Sequence, residues 1–136
     1  MNANDLALVQ AGIANFPETQ VFWDQAQAGR FTLPRCQSCG KQHWFPRAFC
    51  PLCFSADVVW EDSAGTGTLF TYSRLQGPDG ERVIAYVQLD DGPLMLTELV
   101  DVSGELAIGQ AVQVTLVQAA PDLAPELRIP KFKLLA

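Results

Sequence analysis

The chain has 136 residues, of which 49% are apolar, 10% aromatic and 18% charged. This is enough for one domain, or one domain with a small appendage, and it is too apolar and too weakly charged to stay disordered. Uncharged apolar runs such as Val21 to Trp23 or Leu94 to Thr97 fall far short of the roughly 20 residues that span a bilayer. The first 15 residues hold Asp5, no Lys or Arg and no small-residue cleavage pattern, so they do not read as a secretory signal. The expectation is a cytoplasmic protein.

Fifteen acids against nine bases give a net charge of -6, unevenly distributed. No Asp or Glu occurs from Gln25 to Ala56, where Arg30, Arg35, Lys41 and Arg47 lie, whereas from Val58 onward eleven acids face five bases. A locally basic module on an acidic body can receive an anion. Four cations are few for a duplex surface, where many phosphates are neutralised together.

Residues 1 to 16 carry few turn formers and little charge, and fit either a short helix or a loose arm. From Pro17 to Gly29, Pro and Glu18 stand where a helix begins, Gly where it stops, and Phe22 and Ala26 four apart on one face; the spacing predicts a helix of about three turns. Farther on the period becomes two. Phe70 and Tyr72 alternate with Thr71 and Ser73, Val83, Ala85, Val87 and Leu89 share a face, and so do Val112, Val114 and Leu116. Asp90-Asp91-Gly92-Pro93 reads as a tight turn and Gln76 to Gly80 as a longer loop. About five strands without an intervening helical pattern predict a small antiparallel barrel filled by its own side chains. A ligand must then use its outer face, its loops or an attached module.

The strongest chemical signal lies between helix and barrel. Cys36-Gln37-Ser38-Cys39-Gly40 and Cys50-Pro51-Leu52-Cys53 are two CxxC pairs separated by ten residues, and they use all four cysteines. Two-residue spacing turns both sulfurs of each pair toward one point, and two such turns complete a tetrahedral site for zinc. Disulfides are the alternative in an exported chain, a redox CxxC would need an accessible thiol, and iron in an all-sulfur site would colour the protein. Four thiolates fill the coordination sphere, so the expected metal is a structural staple without an open position for substrate. His43 has no partner in sequence to make it a base. Trp44, Phe45 and Phe49 suit packing over the ribbon, or, with Arg47, stacking on a base and pairing with a phosphate. Phe22 and Trp23 suit docking of the helix.

Taken in order, Phe22-Trp23, Gly29-Arg30-Phe31, Cys36-x-x-Cys39-Gly40, Pro46-Arg47, Cys50-Pro51-x-Cys53, Trp60-Glu61, Gly65 to Tyr72 and Tyr86 to Gly92 resemble the DUF35 family over roughly residues 18 to 120. The resemblance implies a rubredoxin-like zinc ribbon joined to a five-stranded antiparallel OB-fold barrel. It divides the chain into an arm and helix at 1–31, the ribbon at 32–57 and the OB-fold at 58–136. It also implies a cytoplasmic accessory subunit that holds acyl-CoA beside a thiolase-like, acyltransferase or hot-dog hydratase enzyme. Carried over to this chain, Cys36, Cys39, Cys50 and Cys53 hold zinc, while Trp44 and Arg47 are the candidates for CoA. Two places depart from the family pattern: Glu81-Arg82-Val83-Ile84 lacks a proline leading into the strand, and Arg128 to Phe132 only loosely follows the closing motif. No nucleophile with its base, no paired carboxylates and no phosphate loop are visible, so no catalytic residue is expected. The alternative reading is a single-stranded nucleic-acid-binding OB-fold and ribbon protein, opposed by the acidic barrel and a pI near 4.5.

Overall fold

In the computed structural model of the chain, which describes residues 1–135, Asn2 caps a helix over Ala3–Asn15 (α1) by accepting the Asp5 N–H at 2.8 Å. The ambiguous first segment is therefore helical. Its buried residue Leu6 packs with Ala120, Ala124 and Leu127 from far along the chain. The expected three-turn helix is shorter: Pro17–Thr19 forms a 3-10 turn and the α-helix proper, α2, runs Gln20–Gln27. It ends in a Schellman motif. Gly29 at φ 84 donates to the Ala26 carbonyl at 3.0 Å and Arg30 to that of Gln25 at 2.8 Å.

Phe22, 1% exposed, is the hub of the first unit. Its ring centroid lies 4.9 Å from that of Trp44, 5.2 Å from Trp23, 6.1 Å from Phe31 and 6.3 Å from Trp60. Strands β1 (Thr32–Cys36) and β2 (Val58–Asp62) pair antiparallel, with Pro34 opposite Trp60 and Cys36 opposite Val58, and carry the loop between them as a ribbon. The exposed pair Arg30–Asp62 at 2.8 Å and the half-exposed pair Arg35–Glu61 at 2.7 Å neutralise two of the four ribbon cations. This unit comprises Met1–Asp62 and Leu116–Ile129.

The second unit, Ser63–Thr115 and the segment from Pro130, holds the barrel except for the end of its fourth strand and the start of its fifth, which fall in Leu116–Ile129. Its strands are β3 (Thr66–Gly77), β4 (Gly80–Leu89), β5 (Leu94–Leu99), β6 (Ala111–Gln118) and β7 (Arg128–Leu134), closed in the order β3-β4-β5-β7-β6. This is the OB-fold expected, with one pair, β5 and β7, running parallel at Leu99 and Phe132. The departure from an all-antiparallel barrel is a matter of parity: strand directions cannot alternate around a closed ring of five. The interior holds Leu69, Val83, Ala85, Val87, Leu89, Met95, Leu99, Val112 and Phe132, so the alternation read on β4 is the core. The chain's tail, Phe132 included, is the fifth barrel strand.

Three local readings differ from the structure. Phe70 sits at a register shift between Leu69 and Thr71 on β3, so this β-bulge turns it outward, 52% exposed, and gives the interior place to Leu69. Gln76 to Gly80 is a tight hairpin rather than a longer loop, with Gly77 opposite Gly80 and Arg74 bridged to Glu81 across the strands. Of Val112, Val114 and Leu116, only the first is fully buried. Where β3 crosses β4, Gly67 leaves room for the Gln88 carbonyl, which a Cβ would approach to 2.4 Å. Among the described residues no helix is long and apolar enough to cross a membrane.

Candidate metal centre and its surroundings

Two knuckles with the same pair of backbone hydrogen bonds build the site. In the first, the Gly40 N–H returns to the Cys36 carbonyl at 2.9 Å and Cys36 donates to the Lys41 carbonyl at 2.9 Å. In the second, Phe54 returns to the Cys50 carbonyl at 2.8 Å and Cys50 donates to that of Ser55 at 2.8 Å. Backbone N–H groups also point at the leading sulfurs, Cys39 at Cys36 Sγ (3.4 Å) and Leu52 at Cys50 Sγ (3.3 Å). Such donors stabilise thiolates. A hydrogen bond of 2.8 Å between Ser38 Oγ and Ser55 Oγ ties the knuckles together.

The four sulfurs all lie within 4.8 Å of one another, with Cys36 and Cys53 at 3.5 Å and Cys39 and Cys50 at 3.8 Å. A tetrahedral ion with metal–sulfur bonds of about 2.3 Å needs sulfurs about 3.8 Å apart, so the cage fits zinc. An all-thiolate donor set suits zinc or iron and leaves no open position for water. Cys36 and Cys50 are buried while Cys39 and Cys53 reach the surface. The Cys39 N–H draws the Cys36 thiol down to about 6, whereas Cys53 is pushed up to about 11, its Ser55 N–H bond being outweighed by the neighbouring sulfurs, Cys36 foremost, and by burial. Crowded thiols resist a second ionisation; a bound cation relieves that repulsion.

The other candidates separate. Trp44 is half-buried, its ring against Phe22 and Phe45, and so belongs to the aromatic core as much as to any surface. Phe45 and Phe49, expected to pack over the ribbon, each leave nearly half their surface exposed. Arg47 is exposed and, among the described residues, makes no ion pair. His43 is buried, neither ring nitrogen has a hydrogen-bond partner among the described residues, and burial, with Arg47 adding, lowers its pKa. No acid orients it as a base.

Sequence reasoning did not single out the outer face of β4 and β5. There Tyr86 stands opposite Leu96 and Gln88 opposite Leu94, with Tyr86, Leu94 and Leu96 all exposed. This is the face with which OB-folds bind oligonucleotides. Here it combines one aromatic ring, Tyr86, with the aliphatic Leu94 and Leu96, and its acid Glu98 binds Arg82 at 2.9 Å and Lys131 at 3.3 Å. The only signal was the run Leu94-Met95-Leu96, in which alternation does not say which side faces out.

Residues 23–59 match the ChsH2 rubredoxin-like zinc ribbon domain and residues 60–117 the ChsH2 C-terminal OB-fold domain. The chain belongs to the DUF35 family. Among solved structures, this DUF35 chain is similar to one in the Ltp2-ChsH2(DUF35) aldolase, with a TM-score of 0.75 and 28% identity over 86% of this chain and 94% of that one. A DUF35 protein of unknown function from Sulfolobus solfataricus shares the fold, with a TM-score of 0.62 and 15% identity over 88% of this chain and 86% of that one. A probable enoyl-CoA hydratase alpha subunit of Thermomonospora curvata is 30% identical over 119 residues, 82% of this chain and 36% of that protein. The chain thus spans about a third of that relative's length.

Proposed function

We propose that this DUF35 chain is a non-catalytic accessory subunit of an acyl-CoA-processing enzyme, of thiolase-like, acyltransferase or hot-dog hydratase type, with one structural zinc held by Cys36, Cys39, Cys50 and Cys53. The observation that carries the reading is the likeness over nearly the whole length of a chain in the Ltp2-ChsH2(DUF35) aldolase, whose name joins a second component to the DUF35 one. The hydratase alpha subunit supports it from another side, since that protein extends well beyond the matched stretch. The chain's own chemistry agrees. The sulfur cage is closed, the lone histidine is buried without an orienting acid, and reduced thiols for zinc suit the cytoplasm.

In this reading the zinc, when bound, supplies no reaction chemistry and fixes the two knuckles. Arg47, exposed and without an ion pair among the described residues, offers a charge-assisted contact to a CoA phosphate, and the half-buried Trp44, three residues before it, is the candidate stacking surface. Holding the CoA end restricts the motion of the reacting ester and lowers the entropic part of a partner's barrier. On the outer face of β4 and β5 one exposed aromatic, Tyr86, stands among Leu94 and Leu96, and Arg82 and Lys131 are held by Glu98, which favours a protein or acyl ligand over single-stranded nucleic acid, whose sites combine several aromatics with cations that face the phosphates.

The test is a thiolase-like, acyltransferase or hot-dog hydratase subunit that co-purifies with this chain, assayed with and without it on a panel of acyl-CoA esters. Activity or acyl-CoA affinity should rise with the chain present, and Arg47→Ala should weaken CoA binding by about 1.5–3 kcal/mol while zinc stays bound. Turnover by this chain alone, abolished by His43→Ala, would overturn the assignment. So would tight, salt-sensitive oligonucleotide binding with none to CoA.

A further inference from the structure

We infer that zinc leaves this chain through the second knuckle, residues 50–54, and that Arg35, forked between Glu61 and the first knuckle, is the positioning residue that makes residues 36–40 the last to let go. The inference rests on the zinc reading and deepens it by naming what holds the ligands in place.

Exposure does not separate the two knuckles. Each has its leading sulfur buried, Cys36 or Cys50, and its second at the surface, Cys39 or Cys53. Two cross-links, the Ser38–Ser55 hydroxyl bond and the Gln37 N–H on the Asp57 carbonyl at 2.8 Å, bind one knuckle to the other and favour neither. The difference lies in what ties each to the sheet. Arg35 on β1 donates from Nε to Glu61 Oε2 on β2 at 2.7 Å and from Nη1 to the Gly40 carbonyl at 2.6 Å. Gln42 Nε2 reaches the same Glu61 oxygen at 3.3 Å, and Gln42 pairs antiparallel with Arg35 through the backbone. One guanidinium thus fixes the end of the first knuckle to both strands of the ribbon. Among the described residues no side chain makes the matching bond to the Phe54 carbonyl. Pro51 fixes one backbone angle inside the second knuckle, which stiffens the turn without anchoring it to a strand.

Backbone conformation works in the same direction. Gly40 and Phe54 hold equivalent places, each N–H returning to the leading cysteine's carbonyl, and both are left-handed, at φ 74 and φ 66. Glycine takes that conformation freely, whereas a residue with a Cβ is strained in it. Zinc therefore holds the second knuckle against its own backbone preference and the first with the help of a clamp. Groups behind the ligands set how firmly a metal is held, and opening begins where local stability is lowest.

The experiment starts from the full zinc-loaded chain, its zinc counted, and adds excess EDTA with N-ethylmaleimide, so that each thiol is trapped as zinc releases it. Peptide mass spectrometry reads the order, and a zinc-sensitive dye the rate. In wild type, Cys50 and Cys53 should be labelled before Cys36 and Cys39. Arg35→Ala should speed zinc loss about tenfold and abolish the order, and Arg35→Lys should not restore it, since an ammonium lacks the planar fork. Phe54→Gly, which relieves the strained position, should slow zinc loss by about twofold or more. Arg30→Ala removes the ribbon's other ion pair, to Asp62, and should keep the wild-type order. First-knuckle cysteines labelled first, or all four together, in wild type would overturn the inference while leaving the zinc reading standing. So would wild-type order and rate in Arg35→Ala, faster zinc loss from Phe54→Gly, or an order lost as fully in Arg30→Ala, which would reduce the clamp to general stability. A chain that purifies folded without zinc would remove the zinc reading and the inference together.

Discussion

Replacing Phe22 by alanine removes the ring on which the ribbon's aromatic core converges. The side chain is 1% exposed, and its ring contacts those of Trp23, Phe31, Trp44 and Trp60 at centroid distances of 4.9–6.3 Å. Truncating a buried phenylalanine costs about 3–5 kcal/mol, and four edge or tilted ring contacts put this site at the upper end of that range. Against a total stability of about 5–15 kcal/mol, this is a large fraction. For a chain of this size it corresponds to a fall in Tm of about 10–20 °C. The assay is built into the chain: all three tryptophans, Trp23, Trp44 and Trp60, border Phe22, so intrinsic fluorescence reports this cluster, while far-UV circular dichroism follows the barrel. Denaturant unfolding followed by emission should show the loss, with Phe22→Leu falling between. A loss under about 1 kcal/mol with unchanged emission would refute the hub, since a ring so enclosed cannot be removed without opening a cavity.

Metal analysis of the purified protein should find one zinc and no colour, and Cys36→Ser or Cys53→Ser should lose the metal and unfold the ribbon; iron would overturn the choice of zinc, and a fully folded chain without metal would overturn the ion's role as a structural staple. Gly67→Ala should destabilise the barrel by about 1–3 kcal/mol in urea melts, because its Cβ would lie 2.4 Å from the Gln88 carbonyl and strand backbone must shift; a change within about 0.5 kcal/mol would show that β4 yields freely. Glu98 is held below the usual glutamate range, first by the hydrogen bond from Arg82 and then by Lys131. Its contribution is complete above the unfolded glutamate pKa and disappears as pH falls through the lowered folded value, so Glu98→Gln should flatten the acid limb of the stability profile and leave the alkaline limb unchanged.

The metal cage was legible because it is local: two-residue spacing fixes each knuckle, and the chain has no other cysteines. The β4 core was legible for the same kind of reason, since Val83, Ala85, Val87 and Leu89 alternate strictly and a strand of period two can bury only one face. Even the α2 stop was written at Gly29, where a left-handed residue is needed. Other features depend on partners distant in sequence. α1 gains its burial from Leu6 against Ala120 and Ala124, so its own composition fits an arm as well as a helix. Phe70 alternates correctly and still faces solvent, because the β3 bulge shifts the register at that point. Trp44 and Arg47 look alike as candidates in the sequence, yet packing on Phe22 encloses one and leaves the other free. The sequence by itself determined the elements with a fixed local period and the residues of the cage. Tertiary structure alone decided which apolar side chains turn outward, that Phe54 adopts a left-handed backbone, and that the one parallel pair a ring of five strands requires falls between β5 and β7, because these follow from closure and long-range packing that no local spacing encodes.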